Sequence, residues 1–182
     1  MINFMKNNRE VIGILSIVGL VGVYSNSANA TDNNLLTKDG IEAASATKVA
    51  LSVSREQLIK KYENAISLTD LELKQVLELV GFKGKDLKEA WAIAKKESNG
   101  RPLAFNGDKT TGDKSYGIFQ INMIGDLGPA RRDKFELKTN SDLFNPITNA
   151  EIAYHMSDGG KDWSAWKGIS QKVKDLMLDF PV

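Results

Sequence analysis

The 182 residues are 42% hydrophobic and 26% charged, which gives apolar material for one ordinary globular core and too little length for a second full domain. Twenty-four Lys and Arg against 23 Asp and Glu leave a formal charge of +1, so no global field favours nucleic acid or an anionic surface. The absence of Cys excludes disulfides, thiol nucleophiles and thiolate metal sites; a single His155 cannot build a multi-histidine zinc centre and any Ser-His-Asp triad would have to use it, so carboxylates are the first candidates to carry chemistry.

Lys6 and Arg9 precede the apolar run from Val11 to Tyr24, and Ala28-Asn29-Ala30 closes a small polar stretch in an A-x-A pattern. Residues 1–30 thus read as an export signal removed before Thr31, which sends the chain to the periplasm or outside the cell. The run is shorter than the about 20 apolar residues of a membrane span, but extending it through Ala30 makes a weak, glycine-containing one, so a retained membrane anchor is the competing reading. Residues 31–53 are polar and small, with little apolar surface to offset the entropy of ordering, and read as a flexible linker.

Helix signals begin at Ser54, which has capping-box spacing to Gln57, with Leu58, Ile59, Tyr62 and Ile66 following at helical intervals. A second helix is announced by the box Thr69/Glu72 and the stripe Leu71, Val76, Leu77 and Val80, and stops at Gly81. Asp86 is placed to cap a third, in which Leu87, Ala90, Trp91, Ile93 and Ala94 share a face before Asn99-Gly100 ends it. Arg101 to Lys114 has no apolar period and reads as a loop or short irregular hairpin, followed by the apolar segment Tyr116 to Ile121. Beyond the charged stretch Arg131 to Lys138, a last helix runs from Pro146 to Gly159-Gly160 with Ala150, Ile152, Ala153 and Met156 inward, and Trp163 and Trp166 close the core from a short turn. The expected fold is mainly α, of the α+β kind, with one polar insertion directly after the third helix.

Glu97 stands in the last turn of that helix, beside its apolar face and next to a helix breaker. A carboxyl group held against apolar walls keeps its proton near neutral pH and can hand it to a leaving oxygen. Alone, a Glu in the last turn of a helix is most often a solvated surface residue.

The wider pattern is more specific. Glu97-Ser98-Asn99-Gly100 is followed about twenty residues later by Ser115-Tyr116-Gly117-Ile118-Phe119-Gln120-Ile121-Asn122, then by Asn145-Pro146 with Asn149-Ala150, and finally by Trp163-Ser164-Ala165-Trp166. Over roughly Leu68 to Gly168 this resembles the lysozyme-like superfamily, in particular soluble lytic transglycosylase domains and phage-type lysozymes. The resemblance implies a lysozyme-like domain over residues 54–182, peptidoglycan glycan strands as partner, and Glu97 as the catalytic acid, with no cofactor, no metal and a monomer expected.

It further implies that Ser115, Tyr116, Gly117, Phe119, Gln120 and Asn122 line the substrate cleft and that Tyr154 reaches it from the last helix. Gly117 would let the backbone approach a sugar, Gln120 offers an amide donor and acceptor, and an aromatic face stacks on a pyranose ring. Each has a plain structural account as well: a strand bulge for Gly117, a structural hydrogen bond for Gln120, core packing for Tyr116, Phe119 and Tyr154. His155 reads as a polar surface residue.

Ordinary glycosidases need two carboxylates, about 5 Å apart for retention and about 6.5 to 9.5 Å for inversion. Animal-type lysozymes carry the second at the position of Ser115, goose-type enzymes at that of Asn122; neither is an acid here. This matches the transglycosylase pattern, in which one Glu serves as acid and then base while the substrate's own 6-hydroxyl attacks. Asp113 and Asp108 in the loop remain as second carboxylates for a hydrolytic lysozyme, or as ordinary turn residues. A binding-only wall component of a phage or secretion apparatus is the alternative of another class, and an acid kept at Glu97 speaks against it.

Overall fold

The computed structural model describes Ser45, Val49, Ser52 and residues 54–108, 110 and 112–181. The export segment 1–30 and nearly all of the linker 31–53 lie outside the described residues. Among the described residues no helix is long and apolar enough to cross a membrane.

Residues 54–62 form helix α1, and Ser52 is already helical, so Ser54 lies within the helix and does not cap it. The helix ends at the buried Tyr62, and Ile66, expected on its inner stripe, is 74% exposed beyond it. Arg55 Nη1 donates to the Leu79 carbonyl at 2.6 Å and Lys61 pairs with Glu72 at 3.1 Å, which fixes α1 to the next helix.

Helix α2, Asp70–Val80, begins as expected: Thr69 Oγ1 accepts from Glu72 N at 3.2 Å, and Glu72 Oε2 accepts from Thr69 N at 3.1 Å. Such caps stabilise a helix by about 1 kcal/mol. The buried stripe is Leu73, Val76, Leu77 and Val80; Leu71 falls outside it and is half exposed. Helix α3, Gly84–Ser98, is capped by Lys83 without a side-chain bond, so Asp86 is not the cap but stands in the first turn, where its charge suits the helix dipole. Five consecutive residues of α3, Ala90 to Ala94, are fully buried, which makes it the axis of the core. Asn99, in the left-handed conformation at φ 58°, stops it where expected.

The insertion after α3 is a three-stranded antiparallel sheet of two-residue strands, β1 (Phe105–Asn106), β2 (Ser115–Tyr116) and β3 (Ile121–Asn122), in that order. Phe105 faces Tyr116 and Asn106 faces Ser115; on the other side Ser115 faces Asn122. Helix α4, Leu127–Lys134, crosses the charged stretch where no helix was expected: it buries only Gly128 and has no apolar stripe to announce it. A 3-10 turn, Asn140–Phe144, leads into helix α5, Pro146–Met156, whose N-cap Asn145 accepts from Ile147 N and Thr148 N. Helix α6, Gln171–Leu176, also unexpected, packs on α3 through the single buried side chain Val173.

Candidate active site

Glu97 sits in the last turn of α3 with its side chain 24% exposed. The next residue holds that helix end in place: the buried Ser98 hydroxyl donates to the Ile118 carbonyl at 2.7 Å, tying α3 to the turn between β2 and β3. The wall beside the Glu97 carboxylate is not the purely apolar one expected from the helix face. Lys96 Nζ lies 2.8 Å from Glu97 Oε1 and also donates to the Trp166 carbonyl at 2.8 Å.

The Gly117–Gln120 turn is built from inside. Gly117 has φ 74°, and a Cβ there would fall 2.2 Å from Asn149 Nδ2 and 2.3 Å from the Leu143 carbonyl. Its Cβ position is closed off by α5 and the 3-10 turn, so only glycine fits there. Asn149, fully buried in α5, donates Nδ2 to the carbonyls of Tyr116 and Leu143 and accepts the Phe119 N–H at Oδ1, each at 2.9 Å. This amide organises the site and was passed over in the sequence, where it was only a letter of a motif. Its signal was a polar residue within the otherwise apolar inner surface Ile147, Ala150, Ala153 of one helix.

Several expected cleft residues face inward. Phe119 is fully buried among Phe82, Trp163 and Trp166, with ring centroids 5.9–6.4 Å apart, so it belongs to the core. Gln120, at φ 49°, folds its amide back onto the carbonyls of Gly117 (3.0 Å) and Ala104 (3.2 Å) and closes the turn. Asn122 Oδ1 accepts from Ile124 N at 2.9 Å in a local turn. Tyr116 is half-buried between the rings of Phe105 and Phe144. Tyr154 packs edge-on to Phe82 at 4.9 Å and over Gly81 and Gly159. That is the opening end of α3, a helix length of about 20 Å from Glu97 by its 1.5 Å rise per residue. Trp163 and Trp166 close the core as expected, and His155 is exposed. Although the residue reaches solvent, partial desolvation of its imidazole and then the charge of Lys134 push His155 below its ordinary range.

On the hairpin, Ser115 is buried and donates its hydroxyl to Asp113 Oδ1 at 2.7 Å, while Asn106 Nδ2 donates to Asp113 Oδ2 at 2.8 Å. Asp113 thus presents an oriented carboxylate on the Ser115 face of the strand. Asp108 does local work, accepting from Thr110 N at 2.7 Å.

A shielded carboxylate at the end of a central helix, clamped by the following serine to a short hairpin that carries a second, hydrogen-bonded acid, defines a carboxylate-based site on a helical frame. The family described as lysozyme-like domain matches residues 74–168, just over half of the chain, and the chain belongs to that family. It is a family of glycosidase-type enzymes, with peptidoglycan as substrate. No curated protein and no solved structure matches beyond this.

Proposed function

We propose that the chain is a lytic transglycosylase that breaks the β-1,4 bond between N-acetylmuramic acid and N-acetylglucosamine in peptidoglycan, with Glu97 as its one acid and base. The observation that carries this reading is the placement of Glu97: its side chain is largely shielded at the end of α3, the helix end that Ser98 ties to the turn between β2 and β3. A carboxyl group so placed can give a proton to the glycosidic oxygen as the bond to C1 breaks and the electron pair leaves with that oxygen. It can then take a proton from the 6-hydroxyl of the same sugar as that oxygen closes on C1. Ser115 and Asn122, a hydroxyl and an amide where lysozymes carry their second acid, favour the same reading. Export by the N-terminal segment to the compartment of the wall belongs to the proposal.

One feature favours a hydrolytic lysozyme instead, namely the grip of Ser115 and Asn106 on Asp113, which orients a carboxylate on the hairpin. The products separate the two. Soluble fragments released from purified peptidoglycan by the full chain are expected to be anhydro-muropeptides, lighter by one water than hydrolytic products. Glu97→Gln is expected to fold normally and lose at least about 100-fold in activity, the low end of general acid catalysis. Reducing-end products that vanish in Asp113→Asn would establish the hydrolase, and binding without any product would establish a wall-binding component.

A further inference from the structure

Neighbouring residues on a helix point about 100° apart and do not ordinarily meet, so a 2.8 Å contact between Lys96 and Glu97 needs a cause. The cause is the Trp166 carbonyl, which holds the Lys96 ammonium at 2.8 Å and turns it towards the carboxylate; the Lys96 side chain is only 16% exposed. Trp166 is itself fixed, since its indole Nε1 donates to the Phe119 carbonyl at 2.8 Å, and the Phe119 N–H is held by Asn149.

We infer that Lys96 is a positioning residue that divides the work of the two Glu97 oxygens. An ammonium has donors and no acceptor, so the oxygen facing it must accept. Oε1 is thereby occupied, and the proton in transfer passes through Oε2, the oxygen that Lys96 leaves open. In the forward step the proton leaves Oε2 for the glycosidic oxygen; in the return step the carboxylate recovers a proton at Oε2 from the attacking hydroxyl. Lys96 stays charged throughout and exchanges nothing. The inference rests on the reading of Glu97 as the acid.

The test compares full-length wild type, Lys96→Met, Lys96→Arg and Glu97→Gln on uncrosslinked, soluble peptidoglycan strands over a range of concentrations. Met keeps the stem and removes the donors, and it is expected to lower kcat on the order of 100-fold, the cost of a misplaced catalytic group. KM should stay within about twofold of wild type, because binding does not use this contact. Arg, which restores a cationic donor, is expected to recover most of kcat. Should Lys96→Met fail to fold, Lys96→Leu replaces it: it too has no donor to offer Glu97, and the same kcat loss is expected.

If Glu97→Gln is inactive while the folded Lys96 variant keeps wild-type kcat, the inference is overturned and the reading of Glu97 stands. A loss confined to KM, or Arg as poor as Met, overturns it equally. If Glu97→Gln retains activity, the reading of Glu97 falls first.

Discussion

Replacing Asn149 by alanine removes one amide that serves three backbone groups in a place no water reaches, since Asn149 is 0% exposed and all three contacts are 2.9 Å long. The Phe119 N–H loses its acceptor outright, and such a buried orphan costs about 1–3 kcal/mol. The carbonyls of Tyr116 and Leu143 each lose a donor, a smaller loss because a carbonyl has a second lone pair. Together these give about 3 kcal/mol, a large share of a typical stability of about 5–15 kcal/mol. Each kcal/mol lowers the midpoint of a domain this size by about 3–4 °C, so Asn149→Ala is expected to melt about 10 °C below wild type. Far-ultraviolet circular dichroism at neutral pH measures this directly. A fall of less than about 2 °C would refute the reasoning, because it would mean that the turn does not depend on the amide for its hydrogen bonds.

Two further outcomes follow from the same contacts. Trp163 and Trp166 are both buried, with centroids 5.3 Å apart, but the Trp163 Nε1 has no hydrogen-bond partner among the described residues while that of Trp166 holds the Phe119 carbonyl. Replacement by phenylalanine removes the same ring area from each, so Trp166→Phe is expected to melt below Trp163→Phe by about 3 °C, one hydrogen bond's net contribution, and equal midpoints would refute the assignment. The Asp142 carboxyl is held below its ordinary value of 3.8, first by the Thr139 N–H and also by that of Lys138. A depressed folded value contributes stability above 3.8 that is lost as pH falls through the folded value, so wild type should weaken below about pH 4 and Asp142→Asn should weaken less. Asp142 is part exposed and solvent screens it, so the difference is small; parallel melting curves at pH 5 and pH 3 would refute it.

What was legible in the sequence was whatever depended on local spacing. The Thr69–Glu72 box, the Asn99 stop and the Pro146 start each rest on groups a few residues apart, and all three stand where expected. Helices α4 and α6 were not legible because they bury one residue apiece, too little to leave a periodic trace. The start of α3 lies three residues before the place Asp86 suggests, with Lys83 at the cap position, because Asp86 suits the first turn electrostatically without serving as its cap. In the site, Glu97 and Ser98 could be read from their place at a helix end. Gly117 and Phe119 pack inward because an α5 amide and the 163–166 turn, distant in sequence, supply their partners, and the Gln120 amide turns back onto the carbonyls of Gly117 and Ala104.

That inward orientation changes what the apolar motif contributes. Gly117 lets Asn149 approach, Asn149 fixes the Phe119 N–H, the Phe119 carbonyl fixes the Trp166 indole, and the Trp166 carbonyl fixes the Lys96 ammonium against Glu97. The first link is a steric fit, the next three are hydrogen bonds of buried or largely buried groups and the last is an ion pair; buried bonds of this kind hold position because leaving one unmade is costly. Residues that the family resemblance aimed at a sugar thus hold the carboxylate that would act on one. A substitution at Phe119 or Asn149 should accordingly reach activity through kcat, as a displaced acid would, and leave KM nearly unchanged.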